Sequence, residues 1–170
     1  SFARISTAIS KYWVTKRAPY LVFEALECHG GPGYIEESIM PRLYREAPLN
    51  SIWEGSGNVM CLDVLRALQR DNNALPALFK ELDSARGSNS NFDANLMHLK
   101  SRMDSSKGIE TEARLITEKM ACLIQASIFI KSGQEEKISA FCNSRLGPTW
   151  SGAFGTLSED TNFEEIIRSF

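Results

Sequence analysis

Apolar residues recur along this chain at intervals of three and four, and no stretch alternates with a period of two. Phe2, Ile5, Ile9, Tyr12 and Trp13 form one such stripe, with Arg4, Lys11 and Lys16 on its polar side. That is the pattern of an amphipathic helix. Pro19 is expected to kink this helix or restart it, because proline carries no amide donor. Leu21, Val22, Ala25 and Leu26 continue the stripe to Gly30-Gly31, a stop signal. A short third helix is predicted from Ser38 as N-cap, with Pro41 tolerated in its first turn. Glu36 and Glu37 ahead of it and Arg42 and Arg45 after it suit the helix dipole.

Pro48 is expected to end that helix, residues 48–55 to form a connecting loop, and a fourth helix to run from Ser56 or Gly57 to about Arg70. In it Val59, Met60, Cys61, Leu62, Val64, Leu65 and Leu68 leave a single polar stripe at Asp63, Arg66 and Arg70. A helix apolar on most sides is buried on most sides, so the preceding loop should feed into the centre of a bundle. Further faces follow: Leu75, Leu78, Phe79 and Leu82 up to Gly87, then Phe92, Leu96, Leu99 and Met103. Ile109, Ala113, Ile116, Met120, Leu123 and Ile124 mark a long helix to about Ile130, with Gly133 beyond. Ile138, Phe141 and Cys142 run on to Leu146 and the stop at Gly147-Pro148. Residues 147–162 read as loop, and Phe163, Ile166, Ile167 and Phe170 as a short last helix capped near Thr161. The class is all-α, an up-and-down helical bundle with extra C-terminal helices. Residues 1–70 are expected to form the bundle core that carries the motifs, and 71–170 a helical continuation of the same domain.

The 170 residues, 43% of them hydrophobic, are one domain's worth with enough apolar surface for a core. A net charge of −2 argues against a strongly electrostatic nucleic-acid binder. Lys100, Arg102, Lys107, Arg114 and Lys119 alternate with Asp104, Glu110, Glu112 and Glu118, which reads as a solvated helix face. Cys28, Cys61, Cys122 and Cys142 stand far apart without a Cys-x-x-Cys pair. That argues against zinc and for reduced, buried thiols in an intracellular protein, with cytoplasm and mitochondrial matrix both open. His29 and His98 form neither a dyad nor a metal set, and no metal is expected. No apolar run approaches the ~18 residues that span a bilayer, and no targeting segment is visible. A start at Ser1, already inside a helical pattern, fits a piece of a longer protein.

The densest chemical signal is Arg45 through Asn58, where Glu54 is wedged between Trp53 and Gly55. Apolar surroundings would desolvate this carboxyl group, raise its pKa and make it a better base. Gly55 and Gly57 would let a ligand approach the main chain. Read alone, a glutamate in a glycine-rich turn is more often a solvated turn residue, Gly30-Gly31 is as readily a plain helix stop, and Ser56 an N-cap. Arg45 is most simply a helix C-terminal cation or a partner of Glu46, and His29 a helix-end packing residue.

Three elements together say more: Gly30-Gly31-Pro32-Gly33-Tyr34, then Arg45-Glu46, then Ile52-Trp53-Glu54-Gly55-Ser56. In order and spacing they resemble the C-terminal helical domain of the acyl-CoA dehydrogenase family. The fuller run from Pro41 to Asp63 is most similar to its AidB-like, alkylation-response branch. The close match covers about residues 4–70.

The resemblance implies an FAD-dependent oxidoreductase that dehydrogenates an acyl-CoA thioester between its α and β carbons, within a homotetramer of fatty acid metabolism. Removing an α-proton takes a base and something to hold the enolate oxygen. The base would be Glu54, its backbone N–H would polarise the thioester carbonyl, and Trp53 and Gly55 would wall the acyl pocket. Glu27, Cys28, His29, Gly30 and Gly31 would approach the adenosine-diphosphate half of FAD from a neighbouring subunit, and Ser56 and Asn58 the flavin side. Glu27 departs from the family's usual glutamine and cannot donate as an amide does. The rival readings are DNA binding in alkylation protection, which the charge supports little, and an acyl-CoA sensor or assembly module without turnover. Acyl chain length cannot be read from these residues.

Overall fold

A computed structural model describes residues 1–105, 108–150 and 152–169. Helix α1, Phe2–Cys28, buries Ile5, Ile9 and Tyr12. Pro19 lies inside it without ending it, so the helix does not restart there. The proline costs one amide donor, the partner of the carbonyl four residues back. Contacts anchor both halves: Tyr12 and Lys16 lie against Gly57 before it, and the Phe23 ring meets Tyr44 at 5.8 Å after it.

Two short helices follow, α2 (Gly31–Tyr34) and α3 (Met40–Glu46). The N-cap of α3 is Ile39 rather than the expected Ser38, although the Ser38 hydroxyl, one residue earlier, accepts from the Met40 amide at 3.3 Å. Residues 48–55 are not simply loop, because Ala47–Ser51 wind into a 3₁₀ turn with Pro48 in its first positions. Helix α4, Gly57–Arg70, buries Gly57, Cys61, Val64 and Leu65. Val59 is 46% exposed, so α4 buries one face rather than most of its circumference.

The helix enclosed on most sides is α7, Ala113–Ser132, which buries nine residues including Ile116, Met120, Cys122, Leu123 and Ala126. Its buried Thr117 hydroxyl is satisfied by the Ala113 carbonyl at 2.7 Å. Ile109 lies in the turn ahead of it. Around α7 stand α5 (Ala74–Asp83) and α6 (Ser90–Asp104), the latter capped by the Asn89 side chain, which accepts from the Phe92 amide. Then come α8 (Glu135–Phe141), a π turn Cys142–Leu146, and α9 (Phe163–Arg168). The cap of α9 is Asn162 rather than Thr161, and Phe170 lies outside the described residues.

One apolar cluster joins Ile5 and Ile9 of α1, Val64 and Leu65 of α4, Leu78 and Leu82 of α5, Phe92 and Leu96 of α6, and Met120 and Leu123 of α7. No strand occurs among the described residues. The core thus grips the first half of α1. Its second half leaves Tyr20 and Leu21 exposed, and so are Tyr34, Ile39, Leu49, Ile52 and Trp53 nearby in the chain.

The polar faces carry paired charges. Lys100 meets Asp83 at 2.6 Å and Arg102 meets Glu112 at 2.6 Å, as a solvated face of mixed sign should; Lys107 lies outside the described residues. Three cysteines are buried, but Cys28 is exposed, which corrects the reading of all four as buried thiols. Among the described residues no helix is long and apolar enough to cross a membrane.

Candidate active site

Past the 3₁₀ turn the chain reverses through Ile52–Gly55, with the amides of Ile52 and Trp53 both donating to the Leu49 carbonyl. Glu54 then takes φ 55°, the only non-glycine residue with positive φ among those described, and Gly55 follows at φ 114°. Such a left-handed step costs an ordinary side chain roughly 1–2 kcal/mol. Sparsely populated backbone persists where surroundings over-determine it, most often at functional sites.

What determines it is visible on α1. The Lys11 ammonium donates to three backbone carbonyls of this segment: Asn50 at 3.1 Å, Trp53 at 3.0 Å and Gly55 at 3.1 Å. On the other side, Met60 fills the space beside Gly55.

The expected sequestration of Glu54 is not observed in this chain. Its side chain is exposed, and Trp53, expected to wall a pocket or to pack, is 57% exposed. The cause is α4: with one face buried, it leaves the loop at its N-terminus on the rim of the bundle. The Glu54 backbone N–H has no acceptor and its carboxylate no partner among the described residues. An unspent donor and an unspent carboxylate on one residue are what polarising a carbonyl and taking the adjacent α-proton require.

The remaining candidates fall into two groups. Ser56 and Asn58 flank the start of α4. Ser56 is the N-cap in extended conformation, yet its hydroxyl makes no capping bond. Asn58 is already engaged, accepting at 3.3 Å from the Arg114 side chain of α7. Glu27, Cys28, His29, Gly30 and Gly31 sit exposed at the far end of α1. Twelve residues of helix separate Cys28 from Lys16, which abuts Gly57, or roughly 18 Å at 1.5 Å per residue. The two groups therefore cannot grip the same end of one ligand.

A Cβ on Gly30 or Gly31 would meet nothing within 4 Å, and Gly30 adopts φ 61°. This open backbone fits close approach of a cofactor from outside the chain, whereas the amides of His29 and Gly30 are spent on the helix end. The Glu27 carboxylate can only accept.

Arg45 pairs with Glu36, at 2.6 and 3.1 Å, and not with Glu46, which Arg42 holds at 2.9 Å. The Arg45 guanidinium keeps the Glu36 carboxyl below the usual glutamate range. His29 and His98 are both exposed and apart in sequence, and no metal-ligand cluster occurs among the described residues.

Two features escaped the sequence reading. Lys11 looked like one more polar-face residue, and nothing in helical periodicity marks a lysine that reaches carbonyls 39 to 44 positions away. The other is an aromatic box around Arg17. Its guanidinium lies 4.3 Å from the Phe154 ring centre, 5.5 Å from Trp150 and 5.7 Å from both Trp13 and Tyr20. Arg145 stacks on the same Trp150 at 4.3 Å. They donate to the carbonyls of Gly152 and Ala153 respectively, and neither forms an ion pair among the described residues. Burial, then Arg17, lower the Arg145 pKa below the usual arginine value. Beside this box a cavity of about 970 Å³ opens between α1, Tyr44 and residues 152–154.

Ile52–Ser56 thus stand at a helix start and a bare glycine pair at a helix end of a domain that is helical throughout its described residues. Residues 3–69 match the family model described as "Acyl-CoA dehydrogenase, C-terminal domain", and the chain belongs to that family. It is similar to AidB of Escherichia coli (strain K12), with 39% identity over 168 residues, 99% of this chain and 30% of that protein. Acyl-CoA dehydrogenase family member 11 of Caenorhabditis elegans is 37% identical over 103 residues, 61% of this chain and 17% of the relative. 3-Methylmercaptopropionyl-CoA dehydrogenase of Ruegeria pomeroyi is 31% identical over 86 residues, covering 50% and 15%. The chain thus spans less than a third of the length of these relatives. The family is FAD-dependent in general, and its members bind acyl-CoA and oligomerise.

Proposed function

We propose that this chain is the C-terminal helical part of an FAD-dependent acyl-CoA dehydrogenase-like oxidoreductase, with Glu54 as the base that removes the substrate α-proton. The observation that carries this reading is the conformation of Glu54: left-handed, with N–H and carboxylate both unspent, inside the stretch where the family motif lies. The Glu54 N–H binds the thioester carbonyl oxygen as negative charge develops, and the carboxylate takes the proton from the neighbouring carbon. Bound FAD supplies the acceptor for the hydride leaving the β-carbon. Trp53 and Gly55 line the acyl side. Ser56 and Asn58 lie toward the flavin, and Glu27 to Gly31 toward the adenosine-diphosphate half held by a neighbouring subunit of a tetramer. The exposed Trp53, Ile52 and Leu49 support this reading, since large apolar side chains in the open are surfaces that other parts of an assembly cover.

The test is Glu54→Gln in the full-length protein, an isosteric change that keeps the backbone donor and removes the base. Loss of dye-linked acyl-CoA oxidation with retained ligand affinity is expected; unchanged turnover would refute the assignment. The isolated 170-residue chain is expected to retain little FAD and to turn nothing over.

A second reading is favoured by the reach of the likeness to AidB, which continues through residues 71–170 where the family model has stopped. In it the protein is an AidB-like DNA-binding, alkylation-protection flavoprotein with weak dehydrogenase activity. Duplex-DNA shift assays at rising salt separate the two, because phosphate contacts give a steep salt slope.

A further inference from the structure

We infer that Lys11 is the positioning residue of the site: its ammonium, by tying the carbonyls of Asn50, Trp53 and Gly55 to α1, holds Glu54 in the left-handed conformation that presents its N–H and carboxylate. The inference rests on the reading of Glu54 as the base and adds the group that aims it.

A lysine ammonium carries three protons and no acceptor. Here each proton has its own carbonyl, at 3.0–3.1 Å, and all three carbonyls belong to one short segment. Two of them, Trp53 and Gly55, are the immediate neighbours of Glu54. The Trp53 carbonyl belongs to the peptide unit before Glu54 and the Gly55 carbonyl to the unit after Gly55, so the two bonds pin the peptide units that bracket the Glu54-Gly55 pair, and the two consecutive positive φ values, 55° and 114°, are what this clamp enforces. The strain falls on one residue, and a free chain would relax it by turning Glu54 back to negative φ.

The clamp is anchored on the rigid partner. Lys11 follows Ile9 and precedes Tyr12, both buried in the core, so the stem of the side chain starts from a fixed point. No carboxylate competes for the ammonium among the described residues. Bonds from a charged donor are about twice as strong as neutral ones, and three of them suffice against a strain of one left-handed residue. A guanidinium cannot take over, because its donors lie in a flat fork and not around a single point.

The test uses Lys11→Met and Lys11→Arg in the full-length protein, with Lys100→Met as a control that removes an ion pair distant from the loop. Two readouts apply. The first is the Cα and Cβ chemical shifts of Glu54 in this chain, selectively ¹³C-labelled, which report φ directly. Both Lys11 variants are expected to move them from left-handed toward extended values, and the control is not. The second is the kinetic split: both Lys11 variants are expected to lower kcat at least tenfold with KM within threefold, while the control leaves both unchanged. Unmoved Glu54 shifts, or kcat within twofold of wild type, would overturn the inference. Failure of the base assignment looks different: Glu54→Gln would then keep full turnover, and the chemical shifts alone would decide the role of Lys11.

Discussion

Met60 occupies the space that a side chain on Gly55 would need: a Cβ built there stands 2.7 Å from the Met60 sulfur. Gly55 also adopts φ 114°, where any side chain is strained. Gly55→Ala should therefore cost about 1–3 kcal/mol, as overpacking and backbone strain combine. Urea unfolding measures it. Adding Met60→Ala removes the clash and leaves the strain, so the double variant should recover the part that Gly55→Ala loses to the sulfur, a coupling that a double-mutant cycle detects.

Glu54 pays for its conformation, and glycine would not. Glu54→Gly is expected to leave stability unchanged or raise it by up to about 1 kcal/mol, while turnover of the full-length protein disappears. A loss of more than that amount in chemical denaturation would mean that the glutamate side chain holds the loop together.

Cys28 is exposed and the other three thiols are buried. Burial pushes Cys122 up to about 12 and Cys142 up to about 11, which further suppresses thiolate. A thiol-exchange chromophore should thus titrate one cysteine in the native chain and four in denaturant, and Cys28→Ser should abolish the native reaction. Fast native labelling of more than one thiol would contradict the placement of Cys61, Cys122 and Cys142.

Burial, and then the neighbouring Cys61, raise the Tyr12 phenol from 10.0 to about 12. The folded chain therefore keeps a proton that the unfolded chain releases, so stability is intact below pH 10 and falls as pH climbs toward 12. The denaturation midpoint should drop across that window, and Tyr12→Phe should make the drop shallower. An equal slope in the variant would place the alkaline transition on the cysteines alone.

Helix content was legible because burial repeats every three to four residues in the long helices, from Ile5 and Ile9 of α1 to Met120 and Leu123 of α7. Pro19 does not divide α1, since its cost is local while the contacts of Tyr12 on one side and Phe23 on the other are tertiary. Composition misplaced the centre. α4 is nearly as rich in apolar residues, for its length, as α7, but Val59 faces out, and only packing decides which apolar residues are covered. At the site, the motif located Glu54 correctly in the chain yet said nothing of its φ or of Lys11, because a clamp between residues 11 and 55 leaves no local trace. Its burial was misjudged for a related reason. A tryptophan beside a carboxylate shields it only when something covers both, and among the described residues nothing does.

Arg17 and Arg145 share the rings of Trp150 and Phe154, and neither forms an ion pair among the described residues; the Glu118 carboxylate accepts from the Trp150 Nε1–H instead. Like charges held that close push apart, and dissolved ions blunt the push, with a Debye length near 10 Å at 0.1 M. Added sodium chloride should then tighten the hold on residues 152–154 while it loosens surface pairs such as Arg42 with Glu46. One corner of this domain is built to prefer brine.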